Sequence, residues 1–215
     1  MVPMGRRILI TTKGTLYAQR DLDLLVKGNV AVTPTITVLD PRLSLLLEPG
    51  APLPEKRIDA IRKATRAGVP VGVRVDPIIP YINDDPVMIE DLIERIAEVG
   101  ATFIVTSTYK ARPDNLARMR QGLGKLGERI YRLYKRKGVR VGGYLYLPEE
   151  DRKKLLKPVV TAAKRLGLHY AHCREGFKGT EWFNAPSCDG SHLIPDRVEP
   201  RGVRLDSWIY RRHSG

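Results

Sequence analysis

Alternation of apolar and polar residues predicts strands in the first half of the chain. Residues 29–38 alternate strictly, so a strand here has one face of valine and isoleucine. Its other face carries Ala31, Thr33, Thr35 and Thr37. Short apolar runs predict further strands at residues 6–13, 69–76 and 101–107.

Apolar residues at helical spacing lie between these strands. Residues 55–67 carry isoleucine or alanine every three residues, and Gly68 follows as a typical C-terminal cap. A second helix is predicted from the N-cap residue Asp85 and from Pro86 up to Gly100. Its apolar face consists of Ile89, Leu92, Ile93 and Ile96. Four strand-then-helix units indicate an α/β fold, in which parallel β/α units form part of an incomplete TIM-like barrel.

The second half of the chain predicts a less regular structure. Four elements are expected here: a long basic helix near 113–137, a strand at 143–147, a helix at 149–166 and a strand at 168–171. The chain beyond them is rich in glycine, proline and other turn formers. We therefore expect a partial barrel over residues 1–171 and an irregular tail, containing cysteine and histidine, over residues 172–215.

Two of the predicted strands carry polar residues on the face that would point into the barrel. Gly72, Arg74 and Asp76 share one face of the third strand, opposite three valines. A barrel packed for stability alone would fill this face with apolar side chains, so the pattern indicates a ligand. Arg74 requires an anion there, which is either Asp76 or a bound carboxylate or phosphate. Because ligands in β/α folds bind at the carboxyl ends of strands, Lys13, Thr35 and Asp76 are candidate contacts.

Several short motifs in the first hundred residues occur in a characteristic order. They are ITTK (10–13), RDLDLL (20–25), TITVLD (35–40), EPGAP (48–52), Arg57 and VGVRVDPIIP (71–80). In this order they resemble the radical S-adenosylmethionine enzymes related to spore photoproduct lyase. The resemblance implies a partial β/α barrel in which a [4Fe-4S] cluster reductively cleaves S-adenosylmethionine to a 5′-deoxyadenosyl radical. It also implies a lyase or repair enzyme that acts on DNA or another nucleic acid.

The resemblance further implies which residues contact the cofactor. In these enzymes the lysine after the paired threonines and a hydroxyl residue on the next strand hold the methionyl end. Those positions correspond to Lys13 and Thr35. The backbone ahead of the PIIP loop lies near the adenine, which corresponds to Asp76 and Pro77. Together with Arg74, whose position on the polar inner face suits an anionic group, these residues form the predicted cofactor site.

The chain departs from this family at the cluster. The family's three thiolates come from a CxxxCxxC loop, whereas this chain has two cysteines and no such motif. We therefore expect the cluster segment to be truncated or encoded in another polypeptide, and the chain alone to be inactive. We also expect the strand at residues 8–12 to have an unpaired edge, covered by self-association or by a partner chain.

Positive charge is concentrated in one segment. The chain carries 37 Lys and Arg against 24 Asp and Glu, a net charge of +13, and residues 110–140 hold eleven basic and two acidic residues. Tyr131 and Tyr134 lie within this run, so cationic and stackable groups are interleaved as on nucleic-acid-binding surfaces. The segment predicts a nucleic-acid partner, and the alternative is a solvated helix face. The predicted contacts are Lys110, Arg112, Arg118, Arg129, Arg132, Lys135 and Arg136.

Cysteine and histidine are clustered in the predicted tail. The sequence PSCDGSH at 186–192 resembles the second half of the CDGSH motif, in which cysteine and histidine bind a [2Fe-2S] cluster. This clustering suits a soft metal. We predict a metal or second iron-sulfur site formed by Cys173, Cys188 and His192, with His172 as a further ligand. The alternatives are a tail held by hydrogen bonds or by a disulfide between the two cysteines.

Hydropathy argues against a membrane protein and against a secreted protein. No apolar run approaches the roughly 18 residues that a membrane span needs. The N-terminal apolar stretch is also too short for a secretory signal. We therefore expect no membrane association and a cytoplasmic location. Besides an enzyme, the sequence is consistent with a non-catalytic nucleic-acid- or metal-binding α/β module that lacks the cluster loop.

Overall fold

The computed structural model describes residues 5–198. The strands in this part are β1 (Ile8–Thr12), β2 (Val30–Pro34), β3 (Gly72–Ile78), β4 (Phe103–Thr108), β5 (Val139–Val141), β6 (Tyr144–Tyr146) and β7 (His169–His172). The helices are α1 (Leu22–Lys27), α2 (Pro41–Leu47), α3 (Pro54–Arg66), α4 (Pro86–Glu98), α5 (Pro113–Gly122), α6 (Gly124–Lys137) and α7 (Glu149–Arg165). No helix among these residues is long and apolar enough to cross a membrane.

Five parallel strands form the centre of the fold. β1 pairs with β2, β3 with β4, and β4 with β7, each in parallel orientation. Parallel bridges from Val32 to Val71 and from Thr35 to Arg74 join β2 to β3. The strand order is therefore β1, β2, β3, β4, β7, and the carboxyl ends of all five strands lie at the same edge.

One face of these strands packs against helices. Val73 and Val75 of β3 share a buried core with the apolar faces of α3, α4 and α7. Local capping explains where α4 begins, because the Asp85 side chain accepts hydrogen bonds from the N–H groups of Val87 and Met88 at 2.9 and 3.1 Å. Burial of each large aliphatic side chain contributes about 1.5–3 kcal/mol. This layer therefore supplies most of the core.

The other face of the strands is the inner face of the partial barrel, and the tail packs against it. Phe103 and Ala171 form a small buried cluster on which Leu193 packs. Gly190 has a φ of 95°, and a Cβ atom there would lie 2.8 Å from the Cγ2 atom of Thr33. Only glycine fits this position. The predicted tail thus covers part of the inner face, and its residues 199–215 lie outside the described residues.

The predicted long basic helix is wrong, because the structure divides it into α5 and α6. The break lies at Leu123 and Gly124, and the φ of Gly124 is 53°, in the left-handed region. The two helices then pack on each other so closely that a Cβ atom on Gly127 would collide with the Met119 carbonyl oxygen. Helical spacing continues across the break, so periodicity alone does not reveal it.

α2 and β5 lie where the sequence predicts neither a helix nor a strand. The Asp40 side chain caps α2 by accepting a hydrogen bond from the Leu43 N–H at 2.8 Å. β5 pairs antiparallel with β6, and this hairpin contacts Ala111 outside the parallel strands. The other predicted elements are present, with ends that differ by a few residues.

β1 forms one edge of the parallel strands. Within the described residues it pairs with β2 alone, and no strand lies on its other side. Its apolar residues Ile8, Leu9 and Ile10 are half-buried rather than buried. The unpaired edge expected at residues 8–12 is therefore present in this part of the chain.

Candidate functional site

Three predicted site residues lie on neighbouring parallel strands, two after the carboxyl ends of β1 and β2 and one within β3. Thr35 directly follows β2, and its N–H donates to the Thr12 carbonyl at the end of β1 at 2.9 Å. The next N–H along the chain donates to the Arg74 carbonyl of β3 at 3.0 Å. Lys13 directly follows Thr12. Thr35 and Arg74 pair across a parallel bridge, so they share one face of the strands.

Glu48 connects Lys13 to a buried arginine. One Glu48 carboxylate oxygen lies 3.4 Å from the Lys13 ammonium, and the other pairs with the Arg57 guanidinium. Arg57 is 1% exposed and also donates to the carbonyls of Thr35 and Pro52, at 2.9 and 2.6 Å. The Lys13 side chain is 47% exposed. Glu48 and Arg57 thus link the Lys13 ammonium to the Thr35 carbonyl, and the half-exposed ammonium remains accessible to an anion.

Arg74 and Asp76 form an ion pair on the inner face. Their closest nitrogen and oxygen atoms are 2.7 Å apart, and the two side chains are mostly buried. Burial lowers the pKa of Arg74, but Asp76 and then Cys173 together raise it by more, so the guanidinium stays charged. Of the two partners considered for Arg74, the structure shows the internal one. A bound anion at this position would share the guanidinium with Asp76.

A buried asparagine shapes the loop that follows β3. Asn83 is 2% exposed; its side-chain oxygen accepts a hydrogen bond from the Ile79 N–H at 2.6 Å. Its amide nitrogen donates to the carbonyls of Thr37 and Pro77, both at 3.1 Å. Tyr81 in this loop has a φ of 67°, which is uncommon for a residue with a side chain. The position of the loop is therefore determined by buried hydrogen bonds.

A buried cluster of charges fastens the tail to β4. The Glu175 side chain is fully buried, and its carboxylate accepts hydrogen bonds from the Thr108 N–H at 2.7 Å, from Lys110 at 2.6 Å and from Arg152 at 2.5 Å. Burial raises the pKa of Glu175, but Lys110 and the other donors lower it by more, so the net pKa lies below its usual value. The Lys110 side chain is 6% exposed. Its ammonium faces Glu175 rather than solvent, which removes Lys110 from the predicted nucleic-acid surface.

Four other predicted nucleic-acid contacts line a single cleft on α6. They are Arg129, Arg132, Lys135 and Arg136. The cleft has a volume of about 710 Å³ and is also lined by Tyr81, Lys125, Glu128 and Tyr131; we call it the α6 cleft. Glu128 is the one acidic residue of this lining, and it accepts a hydrogen bond from Arg132 at 2.7 Å. The α6 cleft thus combines an excess of cations with aromatic rings, as nucleic-acid-binding surfaces do.

The remaining two predicted contacts lie apart from this cleft. Arg112 immediately precedes α5 and Arg118 lies within it, and both side chains are more than half exposed. Each pairs with Asp114, at 3.5 and 2.9 Å. These two arginines lie outside the cleft lining, and their contact with nucleic acid stays a prediction.

The predicted metal ligands are not brought together in the described residues. No group of three His, Cys, Asp or Glu side chains there could hold a metal ion. Cys173 and Cys188 are both free thiols. The His192 ring bonds to the Ser187 hydroxyl at 2.7 Å, whereas both ring nitrogens of His172 are buried without a partner among these residues. Hydrogen bonds and packing hold this part of the tail, and its metal site stays a prediction.

Four structurally important residues have roles that the sequence analysis does not assign. They are Glu48, Arg57, Asn83 and Glu175. The first two occur in the quoted motifs, and their opposite charges are the signal that could have paired them. Asn83 follows a proline-rich strand end, where turn-forming side chains are common. Glu175 contacts a lysine 65 positions earlier in the chain, and no local pattern indicates such a pair.

Solved structures of spore photoproduct lyase resemble this chain in fold. One variant, with bound AdoMet and dinucleoside spore photoproduct, matches 80% of this chain and 51% of its own with a TM-score of 0.56 and 17% identity. Another structure, complexed with dinucleoside spore photoproduct, matches 78% of this chain and 51% of its own, with a TM-score of 0.54 and 17% identity. At this identity the likeness is one of fold. It confirms the predicted class of parallel β/α units in an incomplete TIM-like barrel.

Relatives by sequence are longer than this chain. An uncharacterized protein, ORF301 of Acidianus two-tailed virus, is 35% identical over 120 residues, which cover 54% of this chain and 40% of the viral protein. The uncharacterized protein Rv2578c of Mycobacterium tuberculosis is 35% identical over 102 residues, which cover 46% of this chain and 30% of that protein. No protein-family model matches the chain. The chain therefore spans less than half the length of these relatives, and its relation to spore photoproduct lyase is a shared fold.

Proposed function

We propose that this chain is the cofactor- and substrate-binding part of a radical S-adenosylmethionine protein related to spore photoproduct lyase, with nucleic acid as its substrate class. The observation that carries the proposal is the alignment of Lys13, Thr35 and Arg74 across three neighbouring parallel strands, with Lys13 after β1, Thr35 after β2 and Arg74 within β3. Ligands of β/α folds bind at this edge. The fold is also that of a lyase variant whose structure contains AdoMet.

The residues at this edge suit S-adenosylmethionine. Its methionyl carboxylate needs a cation, and Lys13 supplies one whose side chain is half exposed. Thr35 follows β2 as Lys13 follows β1, and we expect its hydroxyl to donate to the same carboxylate. Asp76 and Pro77 border the third strand end, where the adenosine would lie. When bound and reduced at an iron-sulfur cluster, S-adenosylmethionine supplies a 5′-deoxyadenosyl radical; this chain binds and orients the molecule.

The residues of this chain do not suit a [4Fe-4S] cluster. Such a cluster requires three thiolates, and the sequence contains two cysteines. Cys188 is exposed and Cys173 is half-buried, so the two thiols have different surroundings. The cluster must therefore be held by residues outside these 215, and no step of the radical reaction is assigned to residues of this chain.

The α6 cleft supports nucleic acid as the substrate class. Its lining holds five cations and one carboxylate, so phosphates would be attracted and counterions released on binding. Tyr81 belongs both to this lining and to the loop that follows β3. A strand held in the α6 cleft would therefore pass close to the strand ends where the cofactor is proposed to bind.

A non-catalytic nucleic-acid-binding module is the second candidate function. The observation that favours it is that the α6 cleft is complete in this chain, whereas the cluster ligands are not. The two candidates differ in one measurable property, because the module requires no affinity for S-adenosylmethionine. Salt-sensitive binding of DNA without any binding of S-adenosylmethionine would favour the module.

The β1 edge is a proposed partner surface. Its backbone N–H and C=O groups on the side away from β2 have no strand partner among residues 5–198, and such edges recruit other strands. We expect the chain to self-associate or to pair with a partner chain here. Sedimentation velocity should show a dimer or larger species that Leu9→Pro reduces, since proline cannot continue a strand pairing. A monodisperse monomer at all concentrations would count against this edge.

Isothermal titration calorimetry with S-adenosylmethionine tests the cofactor site directly. Lys13→Met removes the charge that pairs with the carboxylate, so we expect affinity to fall by about 10- to 100-fold. Lys56→Met is the matched control, because Lys56 is exposed on α3, on the helical side of the sheet. It should bind as the wild type does. Equal affinities for the two variants, or no binding by the wild type, would refute the proposed site.

A further inference from the structure

A second cavity adjoins the α6 cleft. It has a volume of about 330 Å³, within the range of small-ligand pockets, and we call it the Tyr81 pocket. Its apolar wall consists of Pro80, Leu133, Leu147, Leu155 and Pro158. Tyr81 and Leu133 line both this pocket and the α6 cleft. The two cavities therefore meet at these two side chains.

The two cavities differ in polarity. The α6 cleft is cationic, whereas the walls of the Tyr81 pocket are largely apolar, with a few charged groups beside them. Among these groups Lys137 and Asp151 neutralise each other at 2.8 Å, while Lys154 supplies an ammonium and Asp84 a carboxylate that can accept hydrogen bonds. A molecule that fits both cavities must have an anionic part joined to a flat or apolar part that carries hydrogen-bond donors.

Tyr81 is held in place between the cavities. Its loop is fixed by the buried Asn83, and its own φ of 67° shows that the local backbone is constrained rather than relaxed. The Arg129 guanidinium lies 3.9 Å from the centroid of its ring. A tyrosine ring that is fixed in this way and backed by a cation is a ready surface for stacking a base.

We propose that the α6 cleft and the Tyr81 pocket together bind single-stranded nucleic acid. The phosphates lie along the cations of α6. One unstacked base points away from the phosphates, stacks on Tyr81 and enters the apolar pocket. A duplex cannot use the pocket without unpairing, because its bases are stacked and hydrogen-bonded inside the helix. The proposal rests on nucleic acid being the partner, and it adds the strandedness and the site of base contact.

Fluorescence anisotropy with labelled oligonucleotides tests this site. The probes are a 12-nucleotide single strand and the matching 12-base-pair duplex, titrated with the full chain. We expect the single strand to bind more tightly than the duplex. Tyr81→Ala should weaken single-strand binding by about 5- to 150-fold through loss of stacking, whereas Tyr81→Phe, which keeps the ring, should stay near the wild-type affinity.

Matched arginine variants separate the phosphate contacts from the base contact. Arg136→Gln, at an exposed arginine of the α6 cleft away from the Tyr81 ring contact, should reduce the slope of log K against log salt by about 0.7 for the single strand. Arg66→Gln, at an exposed arginine of α3, should leave both affinity and slope unchanged. Thermal melts of each variant verify folding.

The results of these titrations distinguish the single-strand site at Tyr81 from the general proposal that the chain binds nucleic acid. Tighter binding of the duplex, or equal affinities of the Tyr81→Ala and wild-type proteins for the single strand, would overturn the composite site while leaving nucleic acid as the partner. Absence of binding to either probe at low salt would overturn the nucleic-acid function as well. Binding of S-adenosylmethionine is measured independently of all three outcomes.

Discussion

Replacing Glu175 by glutamine should be among the most damaging single substitutions in this protein. The Glu175 carboxylate is fully buried and accepts hydrogen bonds from Lys110, Arg152 and the backbone of Thr108. Glutamine keeps the shape of the side chain but removes the charge, which leaves two buried cations without their anion. Removal of one partner from a buried ion pair typically costs about 3–5 kcal/mol.

The loss of stability in Glu175→Gln depends on whether Lys110 and Arg152 can lose their charge. Burial lowers the pKa of Lys110 and Glu175 raises it again in part, so the Glu175→Gln protein can release the Lys110 proton and limit its loss. Arg152 cannot deprotonate in this way. We therefore expect a loss of about 3 kcal/mol or more, which lowers the melting temperature by roughly 6–20 °C for a domain of this size.

Urea unfolding followed by circular dichroism at neutral pH measures this loss. Glu55→Gln is the matched control, because the Glu55 carboxylate is mostly exposed and pairs with Arg95 on the surface at 2.9 Å. Its stability should stay near that of the wild type. The double variant Lys110→Met/Glu175→Gln should recover part of the loss. A Glu175→Gln protein within about 1 kcal/mol of the wild type would refute the view that this cluster holds the tail.

Two further predictions concern packing and pH. Gly127→Ala should destabilise the protein by about 1–3 kcal/mol, because the added Cβ would collide with the Met119 carbonyl. Gly122→Ala is the control, since a Cβ there meets open space and should leave stability unchanged. Equal urea midpoints for the two variants would contradict the packing of α5 on α6. Burial, the largest effect, lowers the pKa of His172 below its usual 6.5. The unfolded chain then binds the proton more readily, so stability should fall as pH drops below about 6.5. His172→Phe places a ring that packs against Phe177 and Phe183, and it should reduce the change of melting temperature between about pH 7 and pH 5. If the melting temperature of this variant falls with pH as steeply as that of the wild type, another group titrates.

Local signals in the sequence were enough to predict most helices and strands. Asp85 and Pro86 combine an N-cap with a first-turn proline, and the structure confirms both roles. Asp40 and Pro41 have the same combination at the start of α2, but the short helix lacks an apolar period long enough to stand out from a loop.

Features that depend on tertiary contacts could not be predicted in this way. At the break between α5 and α6 the two helices pack on each other at Gly127. The helical spacing of apolar residues is the same with or without that contact, so it does not predict the break. Lys110 looked like a surface cation because its partner Glu175 lies far along the chain.

In the candidate site, too, some features follow from local sequence patterns and others depend on tertiary contacts. Lys13 and Thr35 could be placed on neighbouring strand ends because parallel strands align their carboxyl ends, and alternation along β3 placed Arg74 on the polar face. The α6 cleft was predicted only as a basic run in the sequence. Its shape depends on Tyr81, which reaches α6 from a loop more than forty residues earlier in the chain.

A crystal structure of the chain with S-adenosylhomocysteine bound tests the central claim most directly. We expect electron density at the carboxyl ends of β1, β2 and β3, with the ligand carboxylate within hydrogen-bond distance of the Lys13 ammonium. Density located in the α6 cleft or elsewhere, with Lys13 still paired only to Glu48, would contradict it.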